Sequence, residues 1–247
     1  MIRIAGHFTA IILLTLITQL GGLAWLAALL FRRRFLAFCA AYLALSLGAV
    51  WVAPLTGRVP LPCLAGGALQ MQSPLYCALN RHYVTPELAE VLTDYASQMN
   101  RRFDGTTTLV LDANFPFVNG YPLLPHLSHH DGRKADIAFY YRNEAGYLDR
   151  TTRAPLGYFA FQDGPTTCPD NRLTLRWDMA WLQPLWPDLA LDPQRMETSL
   201  RLLAADPRVG KLFIEPHLKQ RFAPQINKIR FQGCRAARHD DHIHIQL

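Results

Sequence analysis

Two stretches of the chain, Phe8 to Phe31 and Phe35 to Leu55, are almost wholly apolar, and Arg32, Arg33 and Arg34 stand between them. Each reaches the roughly 20 residues that a helix needs to span a bilayer. A cleaved export signal is the alternative for the first stretch, but its apolar core would run to only about 7–15 residues. The pattern predicts a two-helix transmembrane hairpin over residues 1–57. Basic loops stay cytoplasmic, so the Arg triplet should leave both the short N-terminus and everything after Leu55 on the opposite face.

Beyond the hairpin the pattern changes. Residues 58–82 are rich in Pro, Gly and Ala with no sustained period and read as a linker or irregular lead-in. Thr85 and Pro86 then mark a helix start, and Leu88, Val91, Leu92, Tyr95 and Met99 share one helical face. That helix should end near Phe103, and a second should cover Met196 to Ala205. Short β-like runs fall at Thr107 to Leu111, Asp136 to Tyr141, Leu173 to Trp177, Lys211 to Ile214 and His242 to Leu247. Turn pairs such as Asn119-Gly120, Asp131-Gly132 and Asp206-Pro207 bound them. The expectation is an α+β domain over 83–247, with a small, mostly antiparallel sheet and flanking helices.

The net charge of +6 includes the Arg triplet, the remaining Lys and Arg are scattered, and nothing resembles a nucleic-acid module. Of five cysteines, Cys39 lies in the second apolar stretch. The other four suit disulfides outside the cytoplasm; Cys63 with Cys77 and Cys168 with Cys234 is one of three possible pairings, and free thiols are the other possibility.

Histidine distribution adds candidate chemistry. Six of the nine histidines fall in two tight groups, His126, His129 and His130 near the middle and His239, His242 and His244 at the end. In the first group, PHLSHHDGRKADIAFYY, Gly132 would let the chain reverse between His129 and Asp136, since glycine takes positive φ without steric cost. In the last, HDDHIHIQL, an extended backbone sends His242, His244 and Gln246 to one face and Ile243, Ile245 and Leu247 to the other. Asp136 likewise opens a run whose Ile137, Phe139 and Tyr141 face the opposite way. A lone His-x-His is usually surface decoration; two such groups with a well-placed Asp form a metal site. His129, Asp136 and His244 make the two-imidazole, one-carboxylate set of a catalytic zinc, with the fourth position left to water. His242 is the candidate proton acceptor beside it, and His130 is assigned to the surface.

These residues resemble the superfamily of zinc peptidases that contains lysostaphin-type enzymes, D-Ala-D-Ala metallopeptidases and the hedgehog signalling domain. Within it the chain is most similar to the penicillin-insensitive murein endopeptidases. Their Ser-His-x-x-Gly-x-x-x-Asp is matched by Ser128, His129, Gly132 and Asp136, and their His-Asp-Asp-His-x-His by residues 239–244. The segment DPRVGKLFIEPHLKQRF is similar to the family's passage before its final motif.

The resemblance implies zinc held by His129, Asp136 and His244, with His242 beside the metal water and His126 and His239 as further site histidines. It implies cleavage of a peptide cross-link in bacterial peptidoglycan. The alternatives are a D-Ala-D-Ala carboxypeptidase and a non-catalytic zinc-containing cell-wall or signalling module. The bilayer, through residues 8–55, and a peptidoglycan peptide are the expected partners. The expected place is the bacterial inner membrane, with the domain facing the periplasm or exterior. Two departures stand out: the chain stops at Leu247, and two membrane stretches replace a cleavable signal.

Overall fold

The computed structural model describes residues 2–64, 66–169 and 173–247. The first apolar stretch is not one helix. It breaks at Gln19, whose φ is 65°, into α1 (Ile2–Thr18) and α2 (Gly21–Ala28). Gly21 and Gly22 let α2 fold back onto α1: a Cβ on Gly22 would sit 1.9 Å from Thr15 Oγ1 and 2.7 Å from the Ile11 carbonyl. Small residues at such a crossing let helix backbones approach closely.

After the Arg triplet, α3 (Arg34–Val52) runs back toward the domain. The expected two-helix hairpin is therefore three helices. Among the described residues one helix, spanning Arg34–Thr56, is long and apolar enough to cross a membrane. The N-terminal placement changes as well. His7 lies 3.5 Å from Arg34, while the other end of α1 meets the domain, where the Thr18 carbonyl accepts from Asn80 and Gln19 Oε1 accepts from the Phe117 N–H. The start of α1 therefore sits beside the Arg triplet, away from the domain.

Residues 58–82 are built into the domain. They supply β1 (Val59–Pro60), β2 (Leu69–Met71) and α4 (Pro74–Ala78), followed by β3 (Tyr83–Val84). Strands of two or three residues are too short to leave a period in sequence, which is why this segment read as irregular. Next come α5 (Pro86–Arg102), capped by Thr85, then β4 (Thr108–Val110), β5 (Lys134–Ala138), β6 (Tyr141–Asn143) and β7 (Gly146–Leu148). The chain ends through β8 (Ala190–Leu191), α6 (Pro193–Ala205), β9 (Lys211–Phe213), α7 (Pro216–Phe222), β10 (Ile229–Arg230) and β11 (His242–Gln246). Residues 173–177 form no strand.

The domain is α+β. Its main sheet has the order β10-β9-β11-β5-β4-β2, and it is mixed rather than mostly antiparallel, because the outer pairs β10–β9 and β2–β4 are parallel. One face carries the core: Ile137, Leu212, Ile243 and Ile245 are fully buried with Leu88, Val91, Leu92 and Met99 of α5 and Met196, Leu200 and Leu203 of α6. Each such side chain contributes roughly 1.5–3 kcal/mol on burial. Strand alternation then forces His242, His244 and Asp136 onto the opposite face. Cys63 bonds Cys77 and Cys168 bonds Cys234, while Cys39 is free.

Candidate metal centre

Register brings two of the three expected ligands together. β11 pairs antiparallel with β5 so that His244 stands directly opposite Asp136, a placement that puts Cβ atoms about 5 Å apart on one face. His129 arrives from the loop between β4 and β5. Its Nδ1–H donates to the Ala113 carbonyl at 2.9 Å, which turns Nε2 toward the strands. Two devices hold this loop. Gly132 turns it at φ 75°, and Asn114 clamps it, accepting from the Gly132 N–H at 3.0 Å and donating to the Lys134 carbonyl at 2.9 Å.

The result is a buried His129-Asp136-His244 group that could hold a metal ion. His129 Nε2 and His244 Nδ1 are 3.1 Å apart, and Asp136 Oδ1 lies 2.8 Å from His244 Nδ1 and 3.3 Å from His129 Nε2. Donor atoms about 2.0–2.1 Å from a tetrahedral metal are about 3.3 Å from one another, so this triangle matches one face of such a site, slightly contracted. Burial alone would raise the Asp136 carboxyl, but His129 and His242 hold it well below the usual range. His244 is pushed down by burial to about 4. Asp136 is thus ionised and His244 neutral near pH 7, as metal ligation requires. His129 is raised: Asp136 outweighs burial there.

The three further histidines expected at the site are there. His242 is buried, its Nδ1 2.5 Å from Asp241 Oδ1 and its Nε2 3.6 Å from Asp136 Oδ1. Burial opposes its charge, yet Asp136 and Asp241 raise it to about 9. The Asp136 charge behind much of that rise is the one a bound cation would offset. His126 Nδ1 bonds Asp112 Oδ2 at 2.8 Å, and Asp112 is in turn held by the buried guanidinium of Arg81. His239 is buried beside both His242 and His244, with ring centroids 4.9 and 5.6 Å away. Its backbone N–H donates to Glu215, which pairs with Arg176 through both carboxylate oxygens. His130 is exposed, as expected.

Several supporting residues were not expected. Tyr158 donates to Asp136 Oδ2 at 2.7 Å and packs against His126 and His242. It fixes the carboxylate's second oxygen so that Oδ1 faces the two imidazoles, the outer-shell support on which metal affinity depends. Asp241 was visible inside the terminal motif without a role; its second oxygen accepts from the Phe159 N–H at 2.6 Å. Asn114, Asn119 and Arg133 carried no sequence signal of a site role. Asn114 is the loop clamp, Asn119 accepts from Arg58, and Arg133 makes an exposed ion pair with Glu87.

Among the described residues one other group, Cys63, Cys77 and His82, lies close enough for metal. Its two sulfurs are joined in the disulfide, so it is not a ligand set. No family model matches the chain, and no curated protein matches it.

Proposed function

We propose that this chain is a membrane-anchored zinc metallopeptidase that hydrolyses a D-amino-acid peptide bond in bacterial peptidoglycan, in the first place a cross-link. The observation that carries this reading is the ligand triangle with His242, oriented by Asp241, beside its carboxylate corner. Two imidazoles and one carboxylate leave an open position, which favours a catalytic over a closed structural zinc. When bound, zinc supplies a Lewis acid and a water that ionises near pH 7.

The chain's own residues do the rest. With the Asp136 charge offset by a bound cation, His242 would be neutral, its Nδ1–H donating to Asp241 and its Nε2 carrying the lone pair that takes a proton from the attacking water. Tyr158 holds Asp136 against rotation, and the Ala113 carbonyl holds the His129 ring. His126, steadied by Asp112, stands with its ring centroid 6.3 Å from that of His242, where it can hydrogen-bond a polarised carbonyl or a departing amine.

The apolar helix Arg34–Thr56 supports a membrane anchor. The Arg triplet at the end away from the domain and the two disulfides favour a domain outside the cytoplasm, in the periplasm or at the exterior. The reading also agrees with the motif resemblance to the murein endopeptidases.

The test uses the full-length chain in detergent with isolated sacculi. Cross-linked muropeptides should disappear with zinc and persist with chelator. Release of terminal D-alanine alone would identify the carboxypeptidase instead. Zinc binding without either product would make the protein a non-catalytic cell-wall module. In the first case His242→Ala should keep zinc and lose about 10²–10⁴-fold in rate, the usual weight of general acid–base catalysis.

A further inference from the structure

The metal site opens sideways into a second cleft that shares His126, Pro125, Leu175 and His242 with it and continues between Tyr158, Phe159, Phe161 and Trp177. Its walls are aromatic and aliphatic, and its charges are already spent. Arg238, the one guanidinium in the lining, is paired with Asp240 and lies 4.0 Å over the Phe161 ring. Asp241, the one carboxylate, is occupied by His242 and by the Phe159 N–H.

The wall is also built against local preference. Phe159 has a φ of 63°, a conformation that bulky side chains avoid. Three bonds hold it there: its N–H donates to Asp241, and its carbonyl accepts from Gln183 Nε2 at 2.9 Å and Trp186 Nε1 at 2.8 Å. Backbone strain that surrounding contacts enforce so fully is typical of binding and active sites. The same Asp241 that orients His242 thus also sets the aromatic wall.

Leu175 and Trp177 complete the cleft from the other side and are half exposed, at 46% and 51%. Their segment is fastened to the chain just before the terminal motif by the Cys168–Cys234 disulfide and the Leu175 N–H on the Arg235 carbonyl, and by Arg176 to Glu215, which also accepts from the His239 N–H. An apolar side chain left half in solvent over a cleft has surface still to bury, and a ligand group can bury it.

We infer that this cleft is the specificity subsite of the metal centre and takes an uncharged, apolar side chain or methylene stem larger than a methyl group, carried by the residue next to the group that meets the metal. The inference rests on the metal-centre reading above and adds the chemistry of the neighbouring substrate residue. A charged side chain would lose its hydration there, and the lining's one guanidinium and one carboxylate are already paired.

Hydroxamates, which bind metal and can carry any side chain, separate the two claims by binding alone. The zinc-loaded full-length chain is titrated calorimetrically with acetohydroxamate, hexanohydroxamate and succinohydroxamate. Hexanohydroxamate should bind at least about tenfold tighter than either of the others, since each buried methylene contributes about 0.8 kcal/mol. In Trp177→Ala that advantage should fall to less than about threefold while acetohydroxamate binds as before. Phe161→Leu, which keeps an apolar wall, should retain most of it. Equal binding of the acetyl and hexanoyl compounds, or an advantage untouched by Trp177→Ala, overturns the subsite. Failure of all three to bind overturns the metal centre itself.

Discussion

Asp112 offers a sharp test of how the site is supported, because it can be disarmed by mutation or by acid. It is buried, accepts from Arg81 Nε at 2.9 Å and from His126 Nδ1 at 2.8 Å, and faces an Arg81 guanidinium that is itself buried. Burial pushes its carboxyl up, but Arg81 and His126 together pull it down from 3.8 to about 2. A carboxyl whose folded pKa is depressed contributes stability that is fully present above 3.8 and is lost as pH falls toward 2. The shift is worth about 2–3 kcal/mol. Asp112→Asn keeps the volume and removes the charge, leaving Arg81 buried without a counter-ion. At about 2–4 °C per kcal/mol for a chain of this size, its melting temperature in detergent should fall by roughly 5–10 °C at pH 7. The gap between wild type and variant should then narrow steadily between pH 4 and pH 2, as the wild-type carboxyl protonates and comes to resemble the amide. A variant that melts within about 2 °C of wild type at pH 7, or a gap that does not change with acid, would refute the assignment of Arg81–Asp112 as a buried ion pair.

Three further outcomes follow from the same geometry. Adding zinc to about a hundred times its dissociation constant should stabilise the chain by about 2.7 kcal/mol, seen as a higher melting temperature that chelator reverses; in His129→Ala and His244→Ala the rise should vanish. Arg58 is buried against Gly132, where an added Cβ would meet its guanidinium at 2.4 Å, and it donates to Asn119, so it grips both ends of the loop that carries His126 and His129. Arg58→Ala should therefore weaken zinc about 10–100-fold in competition with a chromophoric chelator, as loss of outer-shell support usually does, and unchanged affinity would show the loop to be self-supporting. Zinc binding should also release protons at about pH 6.5 and below, because His129 is raised above its ordinary 6.5 in the metal-free site and must give up its proton to ligate; a titration in weakly buffered solution that shows no release counts against His129 as a ligand.

How much of this was legible in the sequence depends on which residue types carry each feature. The candidate ligand group was legible because histidine is rare and strand alternation is simple: Ile243 and Ile245 had to be inside, so His242 and His244 had to share the other face. The register that sets His244 against Asp136 across 108 residues of sequence left no mark beyond the shared apolar face of both strands. Tyr158, Asp112 and Asn114 are common residue types in irregular segments, where no period distinguishes a residue that steadies a ligand from one that faces water. The break in the first apolar stretch was hidden for a related reason. Hydropathy sums over a window, and Gly21-Gly22 lowers the sum very little, yet those two glycines supply the close approach that folds α2 onto α1. That fold-back has a consequence for the site. It returns Gln19 and Thr18 to the domain surface, where they bind Phe117 and Asn80, while Thr56 at the end of the membrane-length helix donates to the Pro116 carbonyl. Residues 116–117 lead into the loop that carries His126 and His129, so the apolar N-terminal helices are hydrogen-bonded to the start of that loop rather than joined to the domain by a free tether.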